Sequence, residues 1–412
     1  MQARKCRSAG GVLRHQIAAL IDAARGPRFF DHDERGRLVR ERRPGESPVL
    51  GEQVLHRAMD AVGNIFRHPD LSDRRYGPGG RLEAADGVRY EHDEDGNLTR
   101  KVEPDGSGWS YHWNGAGMLR EVERPDGQRV RFGYDPFARR TRKTVVRLNP
   151  DGTETLESET RFVWDGNTVL HELSADAGLT TWYWEPGTFT PVAKEQGGKQ
   201  WNIASDHLGT PTEMYDEAGE LVWEMRLDSV GTPNISKGQA EECPWRWPGQ
   251  YEDGEVGLNY NRFRYYDVES ERYGSRDPIG LKGGIQLFSY VPDPTLWIDP
   301  LGLARCDGTG TVAGGADARH VWTATDDGVV LPPGTDIDLV PTSTPDVRNP
   351  QWIAVHSSHP HQDDVRAHAH GPEPGTGRRV DVPLADAMRR ADSGLRSGEL
   401  RPRRTRVDRG GS

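Results

Sequence analysis

An internal repeat constrains the fold of this chain more than any other feature of its sequence. The repeating unit is an aromatic residue, two variable residues, Asp or Asn, two more variable residues, a turn residue and then often Leu. Its copies are FDHDERGRL from Phe30, YEHDEDGNL from Tyr90, YHWNGAGML from Tyr111 and FGYDPFARR from Phe132, and the last three begin 21 residues apart. A fixed period of this kind is typical of folds that stack one small unit many times.

The segments between these copies indicate that each unit is a β-hairpin. EPDGS at Glu103 and RPDGQ at Arg124 contain Asp-Gly, a pair that tolerates the positive φ angles of tight hairpin turns. The residues that follow alternate in character, as in SGWSYHW, which gives each strand one face to bury. Stacked hairpins predict a long curved sheet, with Tyr90, Tyr111 and Tyr134 in its core.

Composition supports a mainly β fold and excludes several functional classes. The 412 residues include 49 Gly, 29 Pro, 12 Trp and 12 Tyr but are only 34% hydrophobic, which suits many short strands joined by tight turns. A formal charge of -11 argues against a chain that coats nucleic acid along its whole length. Three cysteines are too few for a disulfide framework, and no stretch approaches the ~20 apolar residues of a membrane span.

Residues 1–28 are expected to form an N-terminal leader that is partly helical. The opening MQARKCRSAGGVLRHQIAALIDAARG lacks the uninterrupted apolar segment of a cleaved signal peptide. If the protein leaves the cell, we therefore expect separate secretion machinery to export it.

Three later stretches give the chain a resemblance to Rhs proteins, the polymorphic toxins built on YD repeats. These stretches are DHLGTP at Asp206, GLNYNRFRYYD from Gly257 and RDPIGLKGGIQLFSYVPDPTLWIDPLGL from Arg276. With the repeats, the resemblance covers residues 29–303. It implies a β-sheet shell wound into a hollow cocoon around a variable C-terminal toxin. Because Rhs proteins are usually far longer, we expect this chain to be an orphan or truncated cassette.

The resemblance also identifies a processing site. PTLWIDPLGL, from Pro294, is similar to the signature at which Rhs proteins cut themselves after the final leucine, which here is the bond between Leu303 and Ala304. Arg264, in NRFRYYD, matches the arginine that the family associates with this cut.

Two acidic turns supply chemistry that suits such a cut. RDPIGL and IDPLGL place Asp277 and Asp299 in similar turns 22 residues apart. Two carboxylates that share one proton can activate water and protonate the leaving group, and a nearby Arg264 would lower the pKa of one of them. The alternative is that both aspartates only begin Asp-Pro turns, as Asp often does.

Residues 304–412 differ in composition from the rest and are expected to form a separate, small α+β toxin domain. They contain no Lys, 14 Arg, 15 Asp plus Glu and six of the 14 His. After a glycine-rich linker, three alternating segments predict strands, and DVPLADAMRRADSGLRSG predicts a helix with Asp381 near its N-cap and Pro383 in its first turn.

A histidine-rich segment, HSSHPHQDDVRAHAH, carries the candidate catalytic residues of this domain. On a strand, Arg366, His368 and His370 share one face. With His356 nearby, such a set suits phosphodiester cleavage without a metal. One imidazole takes a proton, another donates one, and the guanidinium stabilises the phosphorane-like charge.

Two alternatives remain open for the histidine-rich segment. The His-x-His spacing also suits a divalent metal, with His356, His359 or Asp363 completing the ligand set, although neither spacing matches a standard zinc motif. A solvated hairpin without chemistry is the other alternative, since clustered histidines are often incidental.

An arginine-rich tail, LRSGELRPRRTRVDRGG, is the candidate substrate-binding surface. Arginine forks bind phosphates bidentately, so the tail favours RNA or DNA, although such tails can also be solvated or bind an acidic partner. Its arginines are Arg396, Arg401, Arg403, Arg404, Arg406 and Arg409.

These features together predict an Rhs-family interbacterial toxin that cuts itself and releases a nuclease. RNA is the favoured substrate over DNA, because the metal signature is weak and no cofactor is indicated. The expected partners are a cognate immunity protein, which the resemblance implies, a nucleic acid, which the histidine-rich segment and the arginine-rich tail favour, and separate secretion machinery. The resemblance also implies an exported effector whose toxin acts in the cytoplasm of the target cell.

Other functions fit the residues less well. An ADP-ribosyltransferase needs a catalytic glutamate, and Glu373 and Glu399, the only glutamates after Leu303, lie in segments without an obvious strand. A zinc deaminase needs a Cys-x-x-Cys pair, and this region has one cysteine. A non-enzymatic YD-repeat surface protein leaves the intact cleavage signature unexplained.

Overall fold

A computed structural model describes residues 2–6, 16–22, 26–44 and 51–307, together with six short strands between residues 323 and 383. The chain divides into two compact units, one of residues 1–318 with 324–328 and one of residues 319–323 with 329–412. Strands dominate, which confirms the mainly β fold. The described residues also include three short 3-10 helices, Pro78–Gly80, Ala240–Glu242 and Gly280–Lys282.

An N-terminal sheet contains five antiparallel strands in the order of the sequence. They are β1 (Gln2–Cys6), β2 (Gln16–Asp22), β3 (Gly26–His32), β4 (Leu38–Arg43) and β5 (Gln53–His56). The helix expected in the leader is therefore wrong for the described residues of that segment. Strand β2 buries Ile17 and Leu20 and pairs its backbone with β3, so tertiary pairing overrides the helical preference of its Ala and Leu residues.

The first copy of the repeat forms the β3–β4 hairpin of the N-terminal sheet, and the other three copies lie in one long meander, in which each strand pairs with the strand before it. A two-stranded hairpin, β6 (Ala58–Met59) and β7 (Ile65–Phe66), precedes it. The sixteen strands of the meander are β8 (Arg74–Tyr76), β9 (Leu82–Ala85), β10 (Val88–His92), β11 (Leu98–Val102), β12 (Gly108–Trp113), β13 (Leu119–Glu123), β14 (Gln128–Tyr134), β15 (Arg140–Leu148), β16 (Glu154–Asp165), β17 (Thr168–Ser174), β18 (Gly178–Trp184), β19 (Pro191–Gln196), β20 (Lys199–Ser205), β21 (Pro211–Tyr215), β22 (Leu221–Leu227) and β23 (Pro233–Lys237).

Each repeat is a hairpin, as predicted from its turn and its alternation. In the second copy Tyr90 and Leu98 are buried on neighbouring strands. Between them the Asp93 carbonyl accepts a hydrogen bond from the Gly96 N–H at 3.0 Å, and Gly96 has a φ of 83°. Only glycine adopts this backbone region without a steric penalty, which explains the turn residue of the repeat.

The fourth copy of the repeat has other residues at the glycine position and at the leucine position. Ala138 takes the place of the glycine and keeps a left-handed φ of 59°. Arg140 takes the place of the leucine and is almost fully buried. Its guanidinium pairs with buried Asp253 and lies 4.8 Å and 4.4 Å from the ring centroids of Phe162 and Tyr260, so its charge is compensated within the core.

A small inner sheet covers the aromatic face of the meander. It consists of β24 (Tyr251–Asp253), β25 (Leu258–Asn261), β26 (Arg264–Asp267) and β27 (Arg272–Tyr273), and every residue of β25 and β26 is buried. One hydrophobic cluster joins the two sheets. Two edge-on ring pairs, Phe162 with Tyr251 and Trp164 with Tyr260, are examples of their contacts. The inner sheet is therefore held rigidly, and it carries the candidate site.

The remaining strands are short. β28 (Trp297–Ile298) pairs with β29 (Cys306–Asp307) on either side of the predicted cut. The others are β30 (Thr323–Thr325), β31 (Gly328–Val330), β32 (Ile337–Pro341), β33 (Trp352–His356), β34 (Arg366–Ala369) and β35 (Val380–Pro383).

The last four of these strands form one mixed sheet in the order β33, β32, β34, β35. The helix expected to begin near Asp381 and Pro383 does not start there, because Val380–Pro383 is a strand paired with β34. Its Val-Asp-Val alternation suits a strand better than a helical first turn. The rest of the predicted helix lies outside the described residues.

Candidate active site

The candidate site is a buried polar cluster at the end of the inner sheet. Arg264 begins β26, Asp277 follows β27, and Asp299 follows β28. The exposed fractions of these residues are 2%, 8% and 2%. Charged groups are rarely buried to this extent unless they are paired, so their mutual contacts decide what the cluster does.

Arg264 joins the two aspartates. Its Nη2 lies 3.3 Å from Asp277 Oδ2 and 3.1 Å from Asp299 Oδ2. Its Nε donates to the carbonyl of Gly302, and its Nη1 donates to the carbonyl of Leu287 at 3.1 Å. One guanidinium thus holds both carboxylates and the backbone beside the predicted cut.

The carboxylate of Asp299 accepts further hydrogen bonds on both oxygens. Oδ1 accepts from the N–H of Leu303 at 2.8 Å, and Oδ2 accepts from the hydroxyl of Tyr273 at 2.9 Å. Asn261 Nδ2 donates to the Asp299 carbonyl at 2.8 Å and to the Tyr273 hydroxyl at 2.7 Å. Asp299 is therefore fixed in a position where its ionised form has three donors.

Asp277 lies in a less favourable electrostatic environment. Burial raises the pKa of Asp277 to about 6, against the opposing effects of Arg264 and of the Ile279 N–H, which donates to Oδ1 at 3.0 Å. The nearby charge of Asp299 raises it further. Arg264 lowers the pKa of Asp277, as the sequence led us to expect, but burial outweighs this effect, so the pKa of Asp277 is raised and not lowered.

The carbonyl of Leu303 lies beside Asp277. Both groups face Gly283, where an added Cβ would lie 2.1 Å from Asp277 Oδ2 and 2.4 Å from the Leu303 oxygen. Gly283 has an ordinary helical backbone with φ of -76°, so the close approach of these two oxygens explains the absence of a side chain. The carbonyl of the predicted scissile bond and the carboxyl of raised pKa are neighbours.

The structure brings together the four residues that the motifs indicated, Arg264, Asp277, Asp299 and Leu303. Sequence reasoning did not identify three further members of the cluster, Tyr273, Asn261 and Gly283. Asn261 and Gly283 lie inside stretches that resemble Rhs proteins, but nothing in their local pattern indicates contact with an aspartate.

The candidate toxin residues fall largely outside the described part of the chain. His356 ends β33, and Arg366 and His368 lie on β34. The backbone register sets both His356 and Ala367 opposite Ile337 on β32. The residues outside the described part are His359, Asp363, His370, Arg396, Arg401, Arg403, Arg404, Arg406 and Arg409.

Among the described residues, one trio has ligand atoms close enough for a metal ion, His112, Glu121 and Glu123. Arg131 pairs with Glu121, and Arg129 Nη2 lies 3.1 Å from Glu123 Oε1, so arginines already balance these carboxylates. Nothing further points to a ligand there. In the same part of the chain, the structure contains no helix with the length and apolar character to cross a membrane.

The fold and the repeats define a shell-forming YD-repeat protein. The teneurin YD-shell family matches residues 31–282, and the chain belongs to this family. The match also confirms the resemblance of the repeat region to the cores of Rhs polymorphic toxins.

Curated relatives match this chain over more than half of its length. The double-stranded DNA deaminase toxin A of Burkholderia cenocepacia strain H111 is 31% identical over 308 residues, covering 69% of this chain and 21% of that protein. The probable deoxyribonuclease RhsA of Dickeya dadantii strain 3937 is 33% identical over 252 residues, covering 58% and 17%. The toxin protein Tse5 of Pseudomonas aeruginosa strain PAO1 is 36% identical over 337 residues, covering 66% and 25%. The chain thus spans a quarter or less of the length of each relative.

Proposed function

We propose that this chain is a self-cleaving polymorphic toxin that cuts its own Leu303–Ala304 bond. One observation carries the proposal: Asp277 and Asp299 share the guanidinium of Arg264, Asp299 accepts from the Leu303 N–H, and Asp277 Oδ2 and the Leu303 carbonyl oxygen both lie against Gly283. An Asp-Pro turn that serves only the backbone has no need of a second buried carboxylate or a shared arginine.

The two aspartates have different roles in the reaction. Asp277, with a pKa near 6, carries the shared proton and donates a hydrogen bond to the Leu303 carbonyl oxygen. Asp299, paired with Arg264, is the base that takes a proton from the attacking water. The water oxygen bonds to the carbonyl carbon, and the C–N bond breaks. The Ala304 nitrogen leaves with a proton from Asp299, and Leu303 gains a carboxyl group.

The released part, residues 304–412, is the toxin domain in this proposal, and residues 29–303 are its shell. Arg366, His368, His370 and His356 cleave a phosphodiester without a metal, and the arginine-rich tail binds the phosphates. RNA is the proposed substrate. DNA is the second candidate, because two of the relatives are named for activities on DNA. A zinc deaminase is disfavoured, since Cys306 is the one cysteine after the cut.

The proposed setting follows from the toxin role. The relatives are named toxins or deoxyribonucleases, which supports an exported effector that needs secretion machinery and a cognate immunity protein. The released domain acts in the cytoplasm of the target cell.

Mass spectrometry of the full chain tests the cleavage. The wild type yields a fragment that begins at Ala304, whereas Asp277→Asn and Asp299→Asn stay whole, because an amide cannot exchange the proton. Asp135→Asn is the matched control, since Asp135 also precedes a proline in a turn but pairs with Arg139 far along the chain from the cut. An uncleaved wild type with a folded shell refutes the proposal, as does a cleaved Asp277→Asn chain.

A further inference from the structure

The segment that precedes Asp299 in the chain forms hydrogen bonds with the N-terminal sheet and with the residue that follows it. The Leu38 N–H, at the start of β4, donates to the Pro292 carbonyl at 3.1 Å. Arg57, one residue after β5, donates to the same carbonyl at 3.3 Å and to the Val291 carbonyl at 3.4 Å. Arg57 is itself buried, so these contacts lie in the interior.

A buried His–Asp pair strengthens this connection. His32, the last residue of β3, places Nε2 2.9 Å from Asp293 Oδ2, and both side chains are buried. Asp293 Oδ1 accepts hydrogen bonds from the Thr295 N–H at 3.0 Å and from its hydroxyl at 2.7 Å. Its backbone carbonyl accepts from the Trp297 N–H at 3.0 Å. Asp293 therefore organises the turn that leads into β28 and Asp299.

Apolar packing acts at the same place. Leu296, within this turn, packs against a separate small cluster formed by Ile17, Leu20, Phe30 and Leu38 of the N-terminal sheet. On the other side, Tyr290 stacks on Trp247 with ring centroids 4.5 Å apart, and its hydroxyl accepts from the Asp299 N–H at 3.3 Å. The turn is thus held between the N-terminal sheet and the main core.

We propose that the N-terminal sheet is part of the cleavage site and that His32 is a positioning residue for Asp299. This inference rests on the proposed self-cleavage. His32 has no hydrogen bond to the scissile bond, to Asp277 or to Asp299, and it acts on Asp299 through Asp293. Misplacement of a reacting group by about 1 Å can cost a reaction about 100-fold, so loss of this anchor slows cleavage without removing any catalytic group.

The test measures the rate at which the Ala304 fragment appears in the full chain. His32→Ala is expected to slow this rate about tenfold or more, while the pH at which the rate is half-maximal stays at the wild-type value. His32→Gln is expected to restore much of the rate, because its amide nitrogen reaches the position of Nε2. Asp293→Ala slows cleavage at least as much as His32→Ala does, because it also removes the hydrogen bonds from Thr295, and the double variant is no slower than Asp293→Ala.

His68→Ala is the matched control. His68 forms a similar pair with Asp70, with Nδ1 2.6 Å from Oδ1, but on an exposed turn that does not touch the cleavage segment. A wild-type rate in His32→Ala overturns the inference and leaves the self-cleavage intact, whereas an uncleaved wild type refutes the self-cleavage itself.

A second variant covers the case in which His32→Ala does not fold. Arg57→Met keeps most of the side-chain volume and removes both hydrogen bonds to the cleavage segment. Slower cleavage by a folded Arg57→Met chain supports the N-terminal sheet as part of the site, and an unchanged rate overturns that part of the inference.

Discussion

Asp277 and Asp299 contact the same nitrogen of Arg264, although 22 residues separate them in the chain. The two carboxylates are not equivalent. Asp299 also accepts from the Tyr273 hydroxyl and the Leu303 N–H, whereas Asp277 accepts from one backbone N–H. This asymmetry leaves Asp299 with three donors and makes Asp277, whose pKa burial raises to about 6, the carboxyl suited to carry a proton.

The first prediction concerns pH. Because Asp277 must be protonated to assist the carbonyl, and its pKa is raised to about 6, its active form is present below pH 6 and disappears as the pH rises. The cleavage rate of full chain refolded from denaturant should therefore fall about tenfold per pH unit above this value. A rate that rises between pH 6 and 8 contradicts this assignment of the proton.

The second prediction concerns Tyr273, which donates to Asp299. Tyr273→Phe removes this hydrogen bond but keeps the ring, whose centroid lies 3.6 Å from the Arg264 guanidinium carbon. A hydrogen bond to a charged group contributes about 1.5–3 kcal/mol, so cleavage should slow by about tenfold or more. The pH midpoint should stay near that of the wild type, because Tyr273 contacts the other aspartate.

Tyr183→Phe provides the control for this substitution. The Tyr183 hydroxyl donates to Glu195 at 2.9 Å on an exposed part of the meander. Its loss should leave the cleavage rate unchanged. Equal rates for both phenylalanine variants and the wild type exclude a role for the Tyr273 hydroxyl.

The third prediction concerns Gly283. In Gly283→Ala the added methyl group would overlap Asp277 Oδ2 and the Leu303 carbonyl, at 2.1 Å and 2.4 Å, and so must push the two apart. Cleavage should slow by about 100-fold, as measured by the yield of the Ala304 fragment with time. Gly115→Ala is the control, since a Cβ there meets nothing within 4 Å. Similar rates for the two variants show that the approach of these groups is unimportant.

Local sequence accounts for much of the fold and for part of the site. The aspartate-glycine turns and the aromatic alternation are visible within a few residues, and so the hairpins were predictable. Asp277 and Asp299 stand out as a pair because each begins the same short turn motif, but it was the resemblance to the Rhs cleavage signature that favoured a role in the cut. The leader helix was wrong because the pairing of β2 with β3 is a tertiary interaction that composition does not reveal.

The members of the site that were not predicted depend on long-range contacts. Tyr273 and Asn261 reach Asp299 from the inner sheet, 26 and 38 residues before it. His32 meets Asp293 across 261 residues. No local pattern marks such residues. The raised pKa of Asp277 was also beyond sequence reasoning, because burial outweighs the arginine that the motif supplies.

The last prediction concerns the toxin and rests on the spacing of Arg366, His368 and His370 in the sequence. In the full chain, His368→Ala or His370→Ala should abolish toxicity and RNA cleavage, because each removes one of the two proton-transfer groups that a metal-free reaction requires. Cleavage at Leu303 should continue in both variants, since its residues lie in the shell. Three quantities are measured in a sensitive cell that expresses the chain: the cleavage of RNA, the cleavage of DNA and the labelling of protein.

His361→Ala is the matched control, because His361 lies in the same histidine-rich segment but outside the proposed set. Activity that is lost in chelator and restored by zinc or magnesium indicates a metallonuclease, with His356, His359 or Asp363 as further ligands. Protein labelling by a nicotinamide cofactor indicates an ADP-ribosyltransferase instead. If both histidine variants kill as efficiently as the parent chain, the cluster has no catalytic role, and the arginines from Arg396 to Arg409 become the next residues to substitute.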